Sequence, residues 1–134
     1  MSKRLALVPT ALMTMFAIGL TSCTLLDSKY NAIGLTEVNF PQNCSMTFTS
    51  FSGTKVFSMK CEETSNKVME YKGQIESGSI TVYYKFGEEK TLLFQLEGDQ
   101  SVDSCVENLP VGSINVYVES ISTSKKGSFK FEIK

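Results

Sequence analysis

The sequence contains no histidine and no tryptophan among its 134 residues. Without histidine, the chain lacks the usual base of Cys–His and Ser–His catalysis and a common ligand of catalytic zinc. Without tryptophan, it lacks the largest flat aromatic face for stacking against a sugar ring. We therefore predict that the protein is not an enzyme, has no catalytic residues and uses no cofactor.

Charge of one sign is not concentrated in any part of the chain. Lysine and arginine together number 13 and aspartate and glutamate 14, so the formal net charge is -1. The basic pair Lys125-Lys126 stands alone after Arg4, whereas nucleic-acid binders show clustered basic residues and a high pI. We expect no nucleic-acid partner.

Long hydrophobic runs are also missing, apart from one near the N-terminus. The apolar run from Leu5 to Leu20 follows Lys3 and Arg4 and is shorter than the ~20 residues that a membrane-spanning helix needs. A basic start, an apolar middle and small residues at the end are typical of an export signal. This pattern predicts a signal peptide rather than a transmembrane helix.

The end of this segment, Leu20-Thr21-Ser22-Cys23, resembles the lipobox of bacterial lipoproteins. The resemblance implies that residues 1–22 are removed and that Cys23 carries a diacylglyceryl thioether, with an amide-linked acyl chain added in many bacteria. It also implies a location in the bacterial cell envelope, lipid-anchored to a membrane on its extracytoplasmic side. The alternative is an ordinary secretory signal, in which Cys23 is one more cysteine of the exported domain.

The rest of the chain is predicted to be one β domain, residues 33–134, behind a lipidated N-terminus and short tether, residues 23–32. Apolar and polar residues alternate in short runs separated by Gly, Ser, Asn and Glu, a pattern typical of half-buried strands. About eight such runs predict an all-β fold, a two-sheet antiparallel β-sandwich of the jelly-roll or immunoglobulin-like kind. A small closed β-barrel is the alternative.

The C-terminal part of the domain adds a second resemblance. Residues 109–118 and 127–133, with a Pro-Val-Gly turn and a Gly-Ser step, are similar to the last two strands of bacterial pre-peptidase C-terminal domains, which are exported β-sandwich modules. The similarity supports the sandwich and implies no site residue.

Ser52-Gly53 lies at the centre of two alternating runs that extend from Cys44 to Cys61. If the chain turns there, the two runs form a hairpin in which Cys44 faces Cys61, with Cβ atoms ~4.5–5.5 Å apart, near what a disulfide needs. We therefore predict a disulfide between Cys44 and Cys61, which an exported protein can keep. Pairing of either cysteine with Cys105, or three free thiols, are the alternatives.

A second hairpin is predicted from residues 69–75 and 80–86, joined by a turn at residues 76–79. Gly73 then lies opposite Val82, where the missing side chain indicates a bulge or the close approach of another layer. Leu92, Phe94 and Leu96 form a further set that we expect to face the core.

Two groups of residues are candidate ligand sites. Tyr83 and Tyr117 are predicted to point outward from their strands and to offer a surface for a protein or glycan ligand; the alternative is that they are packed under loops. Glu97, Asp99 and Asp103 cluster around a glycine and are candidate ligands for calcium. Their spacing matches no EF-hand loop, so we expect solvated turn residues and no metal site.

Together these observations predict a lipid-anchored extracytoplasmic protein that acts as a non-enzymatic binding module or as a structural part of the envelope. Its partners would be the membrane, through Cys23, and a protein or glycan ligand. Two alternatives remain open: an inhibitor of an envelope-attacking enzyme such as lysozyme, and a small carboxylate-dependent hydrolase.

Overall fold

The computed structural model describes residues 28–134, which form eight strands and no helix. The strands are β1 (Lys29–Ile33), β2 (Thr36–Phe40), β3 (Asn43–Cys61), β4 (Met69–Ile75), β5 (Ser79–Phe86), β6 (Glu89–Glu97), β7 (Gln100–Val106) and β8 (Gly112–Ile133). All pairings between them are antiparallel. The prediction of an all-β fold with about eight strands is confirmed. The predicted signal peptide and the predicted lipidation site at Cys23 lie outside the described residues.

Two long strands, β3 and β8, organise the fold because they pair with each other along almost their whole length and bend together. Their bend divides one continuous sheet into two layers. Layer A has the order β2–β3–β8–β4–β7 and uses residues 43–51 and 124–133 of the long strands. Layer B contains β3, β8, β5 and β6 and uses residues 53–61 and 112–120 of the long strands. Strand β1 pairs with β3 across the bend, and the sheet does not close on itself.

Aromatic rings fill the space between the two layers. The ring of Phe57 in layer B lies 6.0 Å from that of Phe131 in layer A, measured between centroids. Phe94 in layer B lies 5.3 Å from Tyr71 and 6.1 Å from Phe129, both in layer A. The two halves of the folded sheet therefore face each other across a common core.

The predicted hairpin from Cys44 to Cys61 is wrong, because these residues belong to one strand, β3. Ser52-Gly53 lies at its bend, where the pairing with β8 shifts register between Phe51 and Gly53. Gly53 has a φ of 102°, and a Cβ there would collide with the carbonyl oxygen of Lys29 on β1. The glycine thus allows a long strand to bend.

The second predicted hairpin is also wrong. Strands β4 and β5 do not pair with each other; β4 pairs with the C-terminal half of β8 and β5 with the N-terminal half. The connection between them crosses from layer A to layer B and is tied to β8 by the amide of Glu76, which donates to the carbonyl of Lys125 at 3.0 Å. The close approach of another layer predicted at Gly73 is confirmed, because an added Cβ would lie 3.1 Å from the Phe94 ring of layer B. The same Cβ would lie 2.7 Å from the ring of Phe129, its pairing partner within layer A.

The core faces of the strands mostly follow the alternation of the sequence, but β6 departs from it. Phe94 and Leu96 are buried as expected, but Leu92 is 57% exposed. The pairing of β5 with β6 shifts between Val82 and Tyr83, so that Leu92 pairs with Tyr83 and faces away from the core. At the other end of the chain, β1 begins at Lys29, within the range predicted as tether.

Candidate functional site

The outer face of layer B carries an apolar row, which we call the tyrosine row: Val56, Tyr117, Tyr83 and Leu92. Val56 of β3 pairs with Tyr117 of β8, Tyr117 with Tyr83 of β5, and Tyr83 with Leu92 of β6. Directly opposite residues in a sheet share a face, so the four side chains form a line across four strands. The tyrosine row brings together the two tyrosines that the sequence singled out.

The two tyrosine rings stack closely, with centroids 4.9 Å apart and planes 8° from parallel. The hydroxyl of Tyr83 donates to Oε2 of Glu119 at 3.0 Å. Burial and the Glu119 carboxylate raise the pKa of Tyr83 above its ordinary value, so this phenol is protonated and acts as a hydrogen-bond donor. Tyr83 is only 6% exposed, and its ring is therefore not open for direct contact.

Lysine side chains cover both rings. Nζ of Lys90 lies 4.1 Å from the centroid of Tyr83, and Nζ of Lys85 lies 5.2 Å from that of Tyr117. Lys85 and Lys90 are themselves paired between β5 and β6, in the neighbouring row of the same face. Ammonium groups over aromatic rings are attracted by the ring quadrupole. The outer face of layer B thus offers two positive charges held over an apolar strip.

The outer face of layer A has a different character, because two of its lysines form ion pairs with carboxylates. Nζ of Lys72 lies 3.9 Å from Oδ2 of Asp103, and Nζ of Lys134 lies 3.6 Å from Oε1 of Glu70. All four side chains are about half exposed or more, so these ion pairs are solvated and contribute little to stability. Cys105 is exposed and pairs with Glu70 on this face.

The two core cysteines are free thiols, and the predicted disulfide is not formed. Sγ of Cys44 lies 3.3 Å from the carbonyl oxygen of Phe40, and Sγ of Cys61 lies 3.4 Å from Oγ of Ser65. The prediction depended on facing strands of a hairpin, whereas both residues lie on β3, one at each end. Burial raises the pKa of Cys44, which keeps the thiol protonated and unreactive.

The carboxylates considered for calcium are spread along the strand ends. Glu97 ends β6, Asp99 lies in the turn to β7, and Asp103 lies within β7 next to Lys72. The backbone amide of Glu97 donates to the side chain of Gln100 at 2.8 Å, an ordinary turn contact. Within residues 28–134, no three His, Cys, Asp or Glu residues come together in a way that could hold a metal ion.

An ion pair at one edge of the core was not found from the sequence. Nζ of Lys55 lies 2.8 Å from Oε1 of Glu37 and 5.3 Å from the ring centroid of Phe57. Partial burial raises the pKa of Glu37, but Lys55 and the hydrogen bonds from Asn39 and Tyr30 lower it by more, so it lies below its ordinary value. The ion pair thereby joins β2 in layer A to the layer B half of β3.

A protruding bulge is a second feature that the sequence analysis missed. Phe51 pairs with Ser124 and Gly53 with Ser120, so three residues of β8, the β8 bulge (Ile121–Thr123), lie opposite Ser52 alone. Ile121 is 99% exposed. One signal was available in the sequence: the core-facing positions of this segment change from even numbers to odd numbers between residues 118 and 129.

Buried serine hydroxyls support the base of the β8 bulge. Ser120 and Ser124 lie with their Oγ atoms 2.8 Å apart, and the Ser120 hydroxyl also donates to the carbonyl of Ser122. The amide of Ser79 donates to Oγ of Ser124 at 3.2 Å. The buried hydroxyls of Ser120 and Ser124 therefore have hydrogen-bond partners, as buried polar groups in a stable fold require.

Comparison with known proteins gives no assignment. No protein-family model and no curated protein matches the chain. A solved structure described as "The structure of KdgF from Halomonas sp." covers 80% of this chain and 87% of that chain at 12% identity, with a TM-score of 0.35. A likeness this low carries no argument about function. In the described part of the chain, no helix has the length and apolarity to cross a membrane.

Proposed function

We propose that this chain is an exported lipoprotein of the bacterial cell envelope, anchored through Cys23 on the extracytoplasmic side of a membrane, which acts by binding rather than by catalysis. The lipobox resemblance at residues 20–23 supports the anchor. Strand β1 begins at Lys29, so the tether from Cys23 spans at most ~20 Å when fully extended. The domain is then held close to the membrane surface.

The outer face of layer B is the observation that carries the binding role. Leu92 is 57% exposed there, next to stacked tyrosines that are covered by two lysines. Apolar, aromatic and positively charged groups on one side of a sheet are typical of interaction surfaces. The outer face of layer A also has exposed apolar side chains, Phe40 and Val38 on β2, but there the lysines of the two ion pairs are held by carboxylates rather than over aromatic rings.

Intact-protein mass spectrometry of membrane extracts tests the anchor. We expect the mature wild-type protein to begin at Cys23 and to carry the mass of attached acyl chains, because the thioether needs a cysteine sulfur. Replacing Cys23→Ser should release the protein from the membrane or stall it with its signal attached. Cys105→Ser is the matched control and should stay membrane-bound. Mature wild-type protein with an unmodified Cys23 refutes the proposal.

Inhibition of an envelope-attacking enzyme is the second candidate function, and the β8 bulge favours it. A large apolar side chain, 99% exposed on a hydrogen-bonded support, has the form of a residue that inserts into the cleft of another protein. If this is correct, the chain slows cell-wall hydrolysis by lysozyme and Ile121→Asp abolishes the effect. Leu92→Asp, on a separate surface, is the control and should still inhibit. An unchanged rate with the wild-type chain excludes lysozyme as the target.

A further inference from the structure

We propose that the outer face of layer B lies against anionic lipid headgroups of the membrane that holds the anchor. The inference rests on the proposed function, because it requires the lipid at Cys23, and it identifies the partner of the binding surface. The occupant is a bilayer surface rather than a protein or a glycan. Three features of the described residues support it: where the tether enters, the charge of the face, and the side chains between the charges.

The tether joins the domain at one end of the tyrosine row. Oγ of Ser28 accepts a hydrogen bond from the amide of Val56 at 2.9 Å, and Val56 is the first residue of that row. The five residues from Cys23 to Ser28 reach at most ~17 Å. The row crosses four strands spaced ~4.8 Å apart and is therefore about 14 Å wide. The anchor therefore keeps the Val56 end of the face within ~17 Å of the bilayer. This distance is close to the ~14 Å width of the face.

The face is complementary to anionic lipid at the end that carries its lysines, whereas Glu97 of β6 lies toward the opposite end of the same face. Lys85 and Lys90 are paired in the row next to the tyrosines, and Lys60 lies further along β3 on the same side, 59% exposed. Glu119, in the row on the other side of the tyrosines, accepts the Tyr83 hydroxyl. Glu62, which lies beyond the end of β3, is 3.8 Å from Lys60. Each lysine close to an anionic surface strengthens attachment by roughly fivefold.

The side chains between these charges are those found at the boundary between water and lipid. Tyr117, which is partly exposed, has the apolar ring and polar hydroxyl that place tyrosine at headgroup depth, and lysine extends its apolar stem while its ammonium stays with the phosphates. Here the ammonium groups of Lys85 and Lys90 are held over the rings of Tyr117 and Tyr83. Leu92, at the far end of the tyrosine row, is exposed and can enter the headgroup layer.

The absence of tryptophan from the chain makes a selective test simple. Leu92→Trp introduces a single tryptophan, excited selectively at wavelengths that tyrosine does not absorb, on the outer face of layer B, and Gln74→Trp introduces one on the outer face of layer A as the matched control. Both native side chains are exposed, so the larger ring can be accommodated, and circular dichroism and the Tm verify each fold. The full lipidated chains are reconstituted into vesicles of equal parts phosphatidylglycerol and phosphatidylcholine, with bromine on the acyl chains as quencher.

We expect the fluorescence of Leu92→Trp to be quenched several-fold more strongly than that of Gln74→Trp. Adding Lys85→Glu and Lys90→Glu to Leu92→Trp should lower the ratio of chains whose outer face of layer B lies against the bilayer to chains whose outer face is turned to water. The decrease should be about 30-fold or more. Vesicles of phosphatidylcholine alone should weaken the quenching of Leu92→Trp in the same direction. Flotation and intact mass, measured on the same samples, report the anchor independently.

Equal quenching at the two positions, in chains that float and carry lipid on Cys23, overturns this inference and leaves the proposed function standing. Chains that do not float and have an unmodified Cys23 overturn both. A shift in Leu92→Trp emission caused by soluble peptidoglycan fragments, with no quenching by brominated vesicles, overturns the membrane as partner in favour of a glycan.

Discussion

Gly73 allows two aromatic rings to pack closely against it, Phe129 of its own layer and Phe94 of the opposite layer, and Gly73→Ala is the most informative single change to the fold. The added methyl would lie 2.7 Å from Cδ1 and 2.8 Å from Cε1 of Phe129, and 3.1 Å from Cζ of Phe94. Phe129 is 1% exposed and Phe94 is 8% exposed, so neither ring can move into solvent. The methyl must therefore be accommodated by shifting packed aromatic rings.

The expected effect on stability is the difference between two opposing contributions. Alanine is favoured over glycine within a strand by roughly 0.5–1 kcal/mol, whereas an extra methyl in a packed core costs typically ~1–3 kcal/mol. With both contributions near the middle of their ranges, Gly73→Ala should lower the free energy of unfolding by about 1 kcal/mol. At about 4 °C per kcal/mol for a domain of this size, the Tm should fall by about 4 °C.

Equilibrium urea unfolding of the single variants and the double variant separates a steric clash from other causes. Phe129→Leu removes the ring that the new methyl meets, so Gly73→Ala in that background should cost at least ~0.5 kcal/mol less than in the wild type. Gly87→Ala is the control: nothing lies within 4 Å of a Cβ there, and its φ is +63°. Its cost should come from backbone strain alone and should not change with Phe129→Leu.

A neutral or stabilising Gly73→Ala would refute the close packing of these rings over Gly73. So would strict additivity of Gly73→Ala and Phe129→Leu, because two residues in steric contact must couple.

Two further predictions concern thiols and pH. Under native conditions a thiol reagent should label exposed Cys105 and spare buried Cys44 and Cys61. After unfolding, all three should be labelled. If only Cys105 is labelled in the unfolded mature chain, Cys44 and Cys61 are joined by the disulfide that the sequence predicted. The pKa of Glu37 is lower in the folded protein than in the unfolded chain. Its ion pair with Lys55 therefore stabilises the fold fully above the unfolded pKa of about 4.3. This stabilisation is lost as the pH falls through the pKa of Glu37 in the folded protein. The difference in unfolding free energy between wild type and Glu37→Gln should therefore shrink below about pH 4, and a difference that does not change with pH would contradict this.

The sequence alone determined the class of the fold and most of the core faces. Period-2 alternation along residues 69–75 and 129–133 predicts which side chains point inward, and those residues are buried. This works because side chains on a strand alternate between the two faces whatever the strand pairs with. The anchor at Cys23 is likewise an inference from local sequence, which needs no knowledge of the fold.

Only the tertiary structure decided which strands pair. Along β3 the core-facing positions change from even numbers, such as Cys44 and Phe48, to odd numbers, such as Phe57 and Cys61. A two-residue turn produces that change, and so does a bend with one shifted residue, so the same Ser52-Gly53 signal is consistent with a hairpin and with a folded strand. The hydrogen-bond partners distinguish the two, and they lie on β8, more than fifty residues away in sequence.

The same limit explains the tyrosine row and the β8 bulge. That Tyr83 and Tyr117 share an outer face follows from alternation, but their stacking, the lysines above them and the small exposed fraction of Tyr83 depend on pairing between β5, β6 and β8. The exposure of Ile121 depends on how three residues of β8 are accommodated opposite one residue of β3. Local sequence determines which face most side chains take, whereas partners distant in sequence determine what covers them and where a register shift reverses the face, as at Leu92, because register is a property of two strands and not of one.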